Sequence, residues 1–128
     1  MPLAVGLDLG TTSISGVVVT PAGAVVAAVT QNHAADVPDL PHGHAEQDPA
    51  RIRSVACAVL RELVANTSEP VASLGLTGQM HGVLLLDRRS RPVSRLITWQ
   101  DCRTTARHPS ESGTLLEVLL RRCDDRSI

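Results

Sequence analysis

Val5-Gly6-Leu7-Asp8-Leu9-Gly10-Thr11-Thr12-Ser13 is the stretch on which the fold turns, because it sets an acidic residue and a glycine-hydroxyl turn between two apolar runs, Leu3 to Leu9 and Ile14 to Val19. That pattern reads as a tight hairpin. Gly10 lets the backbone come close to a ligand, Thr11, Thr12 and Ser13 add hydroxyls to the free N–H groups of the turn, and Asp8 can hold a cation, usually through water. Such a tip suits a phosphate chain with Mg²⁺. The same residues also make a hairpin whose tip is merely soluble, since short Gly/Thr motifs are common. The segments on either side must decide between the two.

Beyond Ser13, the runs Ser13 to Thr20 and Ala24 to Thr30 are rich in Val and Ala and flank Pro21-Ala22-Gly23, a turn with Pro at its first central position. With Leu3 to Leu9 they predict a three-strand antiparallel meander. Residues 31 to 47 show no periodicity and carry Pro38, Pro41 and Gly43, so they read as a surface loop, where His42 and His44 could hold a metal but are more often just solvated. Asp48-Pro49 is a helix start, an N-cap followed by Pro at the first helical position. Ile52, Val55, Ala56, Val59, Leu60, Leu63 and Val64 then form one stripe, which predicts a helix to about Asn66.

Val71 to Leu76 reads as a short buried-type strand that runs into Gly78-Gln79-Met80-His81-Gly82, and Val83 to Leu86 as another apolar strand. A polar turn at a strand end is where α/β proteins place ligands. His81 could donate a hydrogen bond to a hydroxylated substrate with Met80 as its apolar wall, or it could be an ordinary histidine in a β-turn. Asp87 to Pro92 is a solvated tip. Arg95 to Thr98 returns as a strand into Trp99-Gln100-Asp101-Cys102-Arg103, where a Trp face beside polar groups could stack on a sugar ring, or simply fill a core. Glu111 to Arg122 reads as a last helix, and Arg121 to Ile128 as a frayed close.

Composition excludes several classes of function. The chain has 128 residues, 43% of them hydrophobic, which fits one globular domain. Its 12 basic and 13 acidic residues leave a net charge of −1, so no global field draws it to nucleic acid or membrane. A nucleic-acid patch would also want aromatics, and the chain has one Trp and no Phe or Tyr. Every basic residue is Arg, which excludes a Walker A loop and Schiff-base chemistry. No segment reads as a membrane span or signal peptide, and Cys57, Cys102 and Cys123 form no CxxC pair, so free thiols in a cytoplasmic protein are expected.

Three elements now stand in order: Asp8-Leu9-Gly10-Thr11-Thr12-Ser13, Gly78-Gln79-Met80-His81-Gly82 and Trp99-Gln100-Asp101-Cys102-Arg103. Together they resemble the N-terminal part of the FGGY carbohydrate kinases, as does Glu46-Gln47-Asp48-Pro49. The resemblance covers residues 3 to 105, leaving 106 to 128 as helix and frayed tail. Within the family, Met80-His81 looks like xylulokinases and sedoheptulokinases, and Thr98 to Asp101 leans to the sedoheptulose branch. Ser15 departs from a Lys or Arg common in relatives, and Cys102 from a Gly.

That resemblance implies an α/β, ribonuclease H-like (actin-like ATPase) domain whose mixed sheet begins with the antiparallel meander and is flanked by helices. It also implies ATP and Mg²⁺ as cofactors and a sugar as the small-molecule partner. Asp8 would place the metal and take the catalytic role, while Gly10, Thr11, Thr12 and Ser13 would face the ATP phosphates. Gln79, Met80 and His81 would line the ketose site with Trp99 and Asp101. The family has a second domain that holds the catalytic base and the adenine pocket. The 128 residues therefore read as a single, incomplete first domain that would be inactive alone, its partner a C-terminal kinase domain or second subunit. A non-catalytic sugar or nucleotide module is the alternative. A chaperone-like ATPase shares the hairpin but gives no reason for Met80-His81 or Trp99-Gln100-Asp101.

Overall fold

The computed structural model describes residues 1 to 124. The three-strand meander is present as β1 (Leu3–Leu9), β2 (Ser13–Val19) and β3 (Val25–Asn32), each antiparallel to the next. A two-residue strand, β4 (Glu46–Gln47), precedes helix α1 (Pro49–Ala65), and β5 (Val71–Gly78) then returns parallel to β1. The main sheet has the order β3-β2-β1-β5. A smaller sheet pairs β4 with β6 (Leu96–Ile97), and α2 (Leu115–Asp124) closes the described chain.

Strand alternation decides where the core lies. Leu3, Val5 and Leu7 of β1 and Ile14 and Val18 of β2 face one side, where Val55, Val59 and Leu63 of α1 cover them. Gly16 lets the helix settle there: a Cβ on it would lie 2.5 Å from Leu63 Cδ1. Each of these large aliphatic side chains contributes roughly 1.5 to 3 kcal/mol by leaving water. Asp48 caps α1 as its sequence predicts, its Oδ1 accepting from the N–H groups of Ala50 at 2.8 Å and Arg51 at 3.3 Å. The helix stops at Asn66, whose N–H reaches back to Glu62 O.

Several sequence expectations need correction. The α1 stripe is split: Val55, Val59 and Leu63 are buried, whereas Ile52, Ala56 and Leu60 line an apolar groove beside Leu74 and Leu76, and Val64 is exposed. The β5 run is an edge strand with Leu74 and Leu76 exposed, because no described element pairs with its outer side. Val83 to Leu86 forms single bridges, Val83 with Ile97 and Leu86 with Pro92, in place of a continuous strand. Residues 31 to 47 are more than a surface loop, since β3 runs to Asn32 and His33, Ala35 and Gln47 are buried. The last helix starts at Leu115, not Glu111, because Gly113 has φ +110°, outside helical geometry. Thr114 and Glu117 cap it reciprocally, at 2.7 and 3.2 Å. Of the expected frayed close, Arg121 to Asp124 are helical and 125 to 128 lie outside the described residues. No described helix is long and apolar enough to cross a membrane.

Candidate functional site

Parallel β1 and β5 finish side by side, at Leu9 and Gly78, and the Gln79 N–H continues their ladder by donating to Leu9 O at 2.9 Å. This places the hairpin tip and the Gln79-Met80-His81 loop together at the carboxyl ends of adjacent parallel strands, where open α/β sheets bind ligands. The tip is tight: the Gly10 N–H donates to Ser13 O at 3.0 Å, and a Cβ at position 10 would sit 2.8 Å from that same oxygen. Only glycine fits. Among the described residues, the N–H groups of Thr11 and Thr12 donate to no protein acceptor, so two backbone donors are left at the tip.

Asp8 is exposed one residue before the end of β1, in register with Ser15 on one side and Thr77 on the other. It lines an open groove of about 500 Å³ on the sheet face opposite α1, whose floor is cleared by the paired Gly6 and Gly75. The described residues hold no group of three or more His, Cys, Asp or Glu side chains that could enclose a metal. One exposed carboxylate beside free N–H donors fits Mg²⁺, which keeps most of its water and takes one or two carboxylates plus phosphate oxygens. The same pair of features fits a nucleotide phosphate chain.

A continuous hydrogen-bond path joins the tip to the Gln79 loop and to Trp99. The indole Nε1 of Trp99 donates to Thr11 Oγ1 at 3.0 Å, and Thr11 Oγ1 donates to Gln79 Oε1 at 3.4 Å. Gln79 Nε2 then donates to Gln47 Oε1 at 2.9 Å, and Gln47 Nε2 donates to Thr11 O at 2.7 Å. Thus Gln79 and Trp99, far from Thr11 in the chain, both meet its hydroxyl. His33 supports the tip from beneath, its ring Nε2 within 3.3 Å of Gly10 O.

The remaining residues differ in how free they are. Met80 is 72% exposed, and His81 is exposed with φ +60°, a left-handed conformation that non-glycine residues adopt only at a cost. Thr12 is exposed and Ser13 half-buried at the start of β2. Asp101 is 4% exposed and fully occupied. Its Oδ2 accepts from the Ala45 N–H and Arg103 Nη2, both at 2.7 Å, and its Oδ1 from Arg103 Nε at 2.8 Å and the Arg103 N–H at 3.0 Å. Arg103 also holds Glu46 at 2.6 Å. Hydrogen bonds from the Arg103 side chain lead the causes that hold the Asp101 carboxyl far below the ordinary carboxylate range. Its carboxylate braces the 99 to 103 loop against β4, which leaves no oxygen for a ligand.

His33, Asp36 and Gln47 are the site-supporting residues that the sequence pattern did not single out. His33 and Asp36 lie in a segment without periodicity. Gln47 stood inside the Glu46 to Pro49 motif, and a polar residue directly before an N-cap was its only signal.

The strand order, the β1-β2-β3 meander and the crossover helix leading to parallel β5 define an actin-like ATPase lobe. The FGGY family of carbohydrate kinases, N-terminal domain, matches residues 3 to 111. The chain belongs to that family. A xylulose kinase of Escherichia coli (strain K12) is 34% identical over 116 residues, 89% of this chain and 22% of that protein. A glycerol kinase of Gloeobacter violaceus is 38% identical over 103 residues, 78% of this chain and 20% of its own length. The crystal structure of xylulose kinase from Rhodospirillum rubrum superposes with a TM-score of 0.76 at 30% identity, over 95% of this chain and 23% of that one. The chain thus spans about a fifth of the length of the curated relatives it matches.

Proposed function

We propose that this chain supplies the phosphate and sugar edge of an ATP-dependent ketose kinase, with a xylulose- or sedoheptulose-type substrate. The observation that carries it is the junction of the Gly10 to Ser13 tip, the Gln79 loop and Trp99 by hydrogen bonds at the ends of β1 and β5. A phosphate turn and a sugar loop must be neighbours if a phosphoryl group is to pass between their ligands. Relatives bear the names of both xylulose and glycerol kinases. The Met80-His81 pair favours the ketose.

ATP and Mg²⁺, when bound, supply the transferable phosphoryl group and neutralise its charge. The free N–H groups of Thr11 and Thr12 would hold phosphate oxygens, and Asp8 would hold the ion. His81 hydrogen-bonds a sugar hydroxyl, while Met80 and Trp99 shield the ring's apolar face. Asp101 supports Trp99 through the brace with Arg103 and Ala45 in place of touching the sugar itself. The base that takes the hydroxyl proton belongs, by family resemblance, to a second domain. The three free thiols suit a reducing cytoplasm.

The test uses a fusion in which residues 3 to 111 replace the matching segment of the Rhodospirillum rubrum xylulose kinase. Asp8→Asn should lower phosphoryl transfer more than tenfold, about 1.4 kcal/mol or more in the barrier. Removing the His81 side chain should raise the sugar KM or lower kcat while leaving the KM for ATP alone. Wild-type turnover in Asp8→Asn would refute the assignment.

A further inference from the structure

Gln47 is 1% exposed, and its single carboxamide touches both halves of the proposed site. Nε2 gives its two protons to Thr11 O at 2.7 Å and Asp36 Oδ1 at 2.8 Å, while Oε1 accepts from Gln79 Nε2 at 2.9 Å. Its orientation is unambiguous, because a backbone carbonyl and a carboxylate can only accept, so nitrogen must face them and oxygen must face Gln79. That choice propagates. Gln79 must turn its own nitrogen to Gln47, leaving Oε1 for the Thr11 hydroxyl, whose lone pair then receives the Trp99 indole N–H. Every donor and acceptor from Trp99 to Asp36 has one assignment, and from Thr11 to Asp36 each link polarises the next in a part-buried setting, while the Trp99 end is exposed.

We propose that Gln47 is a positioning residue that fixes the distance between the phosphate turn and the sugar loop, a role that rests on the kinase reading above. It holds the turn by Thr11 O, the loop by Gln79, and through these two the Trp99 indole. It touches neither sugar nor phosphate. A shorter or apolar side chain at 47 releases the turn from the loop, and the two ligands then lose their alignment without losing their own contacts. Misplacement by about 1 Å is enough to lower the rate up to a hundredfold. The signature is therefore a fall in kcat with both KM values held.

Trp99 is the one tryptophan of the chain, so its indole N–H gives a single, assignable NMR signal that reports the far end of the path. The chain of 128 residues is compared as wild type, Gln47→Met, Gln47→Asn and Asp36→Asn, the last altering only the exposed partner of Gln47 and leaving its bonds to Thr11 and Gln79 in place. Gln47→Met and Gln47→Asn should move the Trp99 indole signal and the Gly10 to Ser13 amide signals while leaving those of α2 in place, and Asp36→Asn should move them less in the same sense. A Trp99 signal at its wild-type position in the folded variants would overturn the path. In the fusion, Gln47→Met should lower kcat tenfold or more with the KM values for ATP and sugar within about threefold of wild type. Leu63→Ala, destabilised in the core but with the path intact, should keep wild-type kcat at low temperature. Wild-type kcat in Gln47→Met, or an equal loss in Leu63→Ala, would overturn the positioning role. An inactive wild-type fusion with the Trp99 response present would instead refute the kinase reading and leave the structural link standing.

Discussion

The packing of α1 on the sheet turns on one contact, between Gly16 and Leu63, and a double-mutant cycle on it tests the core quantitatively. Leu63 is fully buried, so Leu63→Ala should cost about 2 to 5 kcal/mol from lost transfer energy and the cavity left behind. In Gly16→Ala the new methyl would lie 2.5 Å from Leu63 Cδ1, 3.2 Å from Val59 Cγ1 and 3.3 Å from Leu7 Cδ1. Overpacking of that kind costs about 1 to 3 kcal/mol, offset by the roughly 0.5 to 1 kcal/mol that alanine gains over glycine within a strand. Once Leu63 is truncated, the 2.5 Å clash is gone, and the two longer contacts need shifts of only a few tenths of an ångström. Gly16→Ala should then be neutral or stabilising in the Leu63→Ala background, which makes the coupling about 1 to 3 kcal/mol. Urea unfolding followed by far-UV circular dichroism, with unchanged m-values, measures all four proteins. Additivity within about 0.5 kcal/mol would refute the packing described here.

His81→Gly should stabilise the fold by up to about 1 kcal/mol, because glycine adopts φ +60° without the penalty of a Cβ, and should also remove the proposed sugar contact. A lower melting midpoint in that variant would show the conformation to be unstrained. Asp101 has its native pKa depressed by Arg103, so its stabilising contribution is complete above the unfolded carboxylate value of about 4 and is lost as pH falls through the lower native value. Asp101→Asn should therefore lower the midpoint at pH 7 and narrow its gap to wild type progressively as the medium is made strongly acidic. A pH-independent gap would mean that the Arg103 pair gives no linkage.

The meander and α1 were legible because their signals are local: two-residue alternation, Pro21-Ala22-Gly23 and the Asp48-Pro49 start all act within a few residues. The proposed ligand edge rests on equally local residues, since glycine, hydroxyl and carboxylate lie side by side in Asp8 to Ser13. What could not be read were long-range facts. The apolar run of β5 carries the composition of a buried strand, yet burial depends on what lies beyond its outer edge. The α1 stripe is continuous in sequence but is fully buried only along Val55, Val59 and Leu63, while Ile52, Ala56 and Leu60 pack at the margin of the core. Gln47 reaches partners at 11, 36 and 79, which no periodicity brings together. The pairing of Asp101 was signalled only by the Asp-Cys-Arg spacing: residues two apart can pair across a loop, and Arg103 engages both carboxylate oxygens.

The most direct test of the central claim is ketose-dependent ADP release in the presence of ATP and Mg²⁺, measured for the 128-residue chain alone and for the fusion carrying its residues 3 to 111. A single lobe cannot close a dry cleft around two substrates, so the chain alone should release no ADP in response to xylulose or sedoheptulose. The fusion should release it at a rate that falls more than tenfold on Asp8→Asn. A folded fusion without ketose-dependent turnover, or robust turnover by the short chain alone, would contradict the assignment of this chain as the phosphate and sugar edge of the kinase.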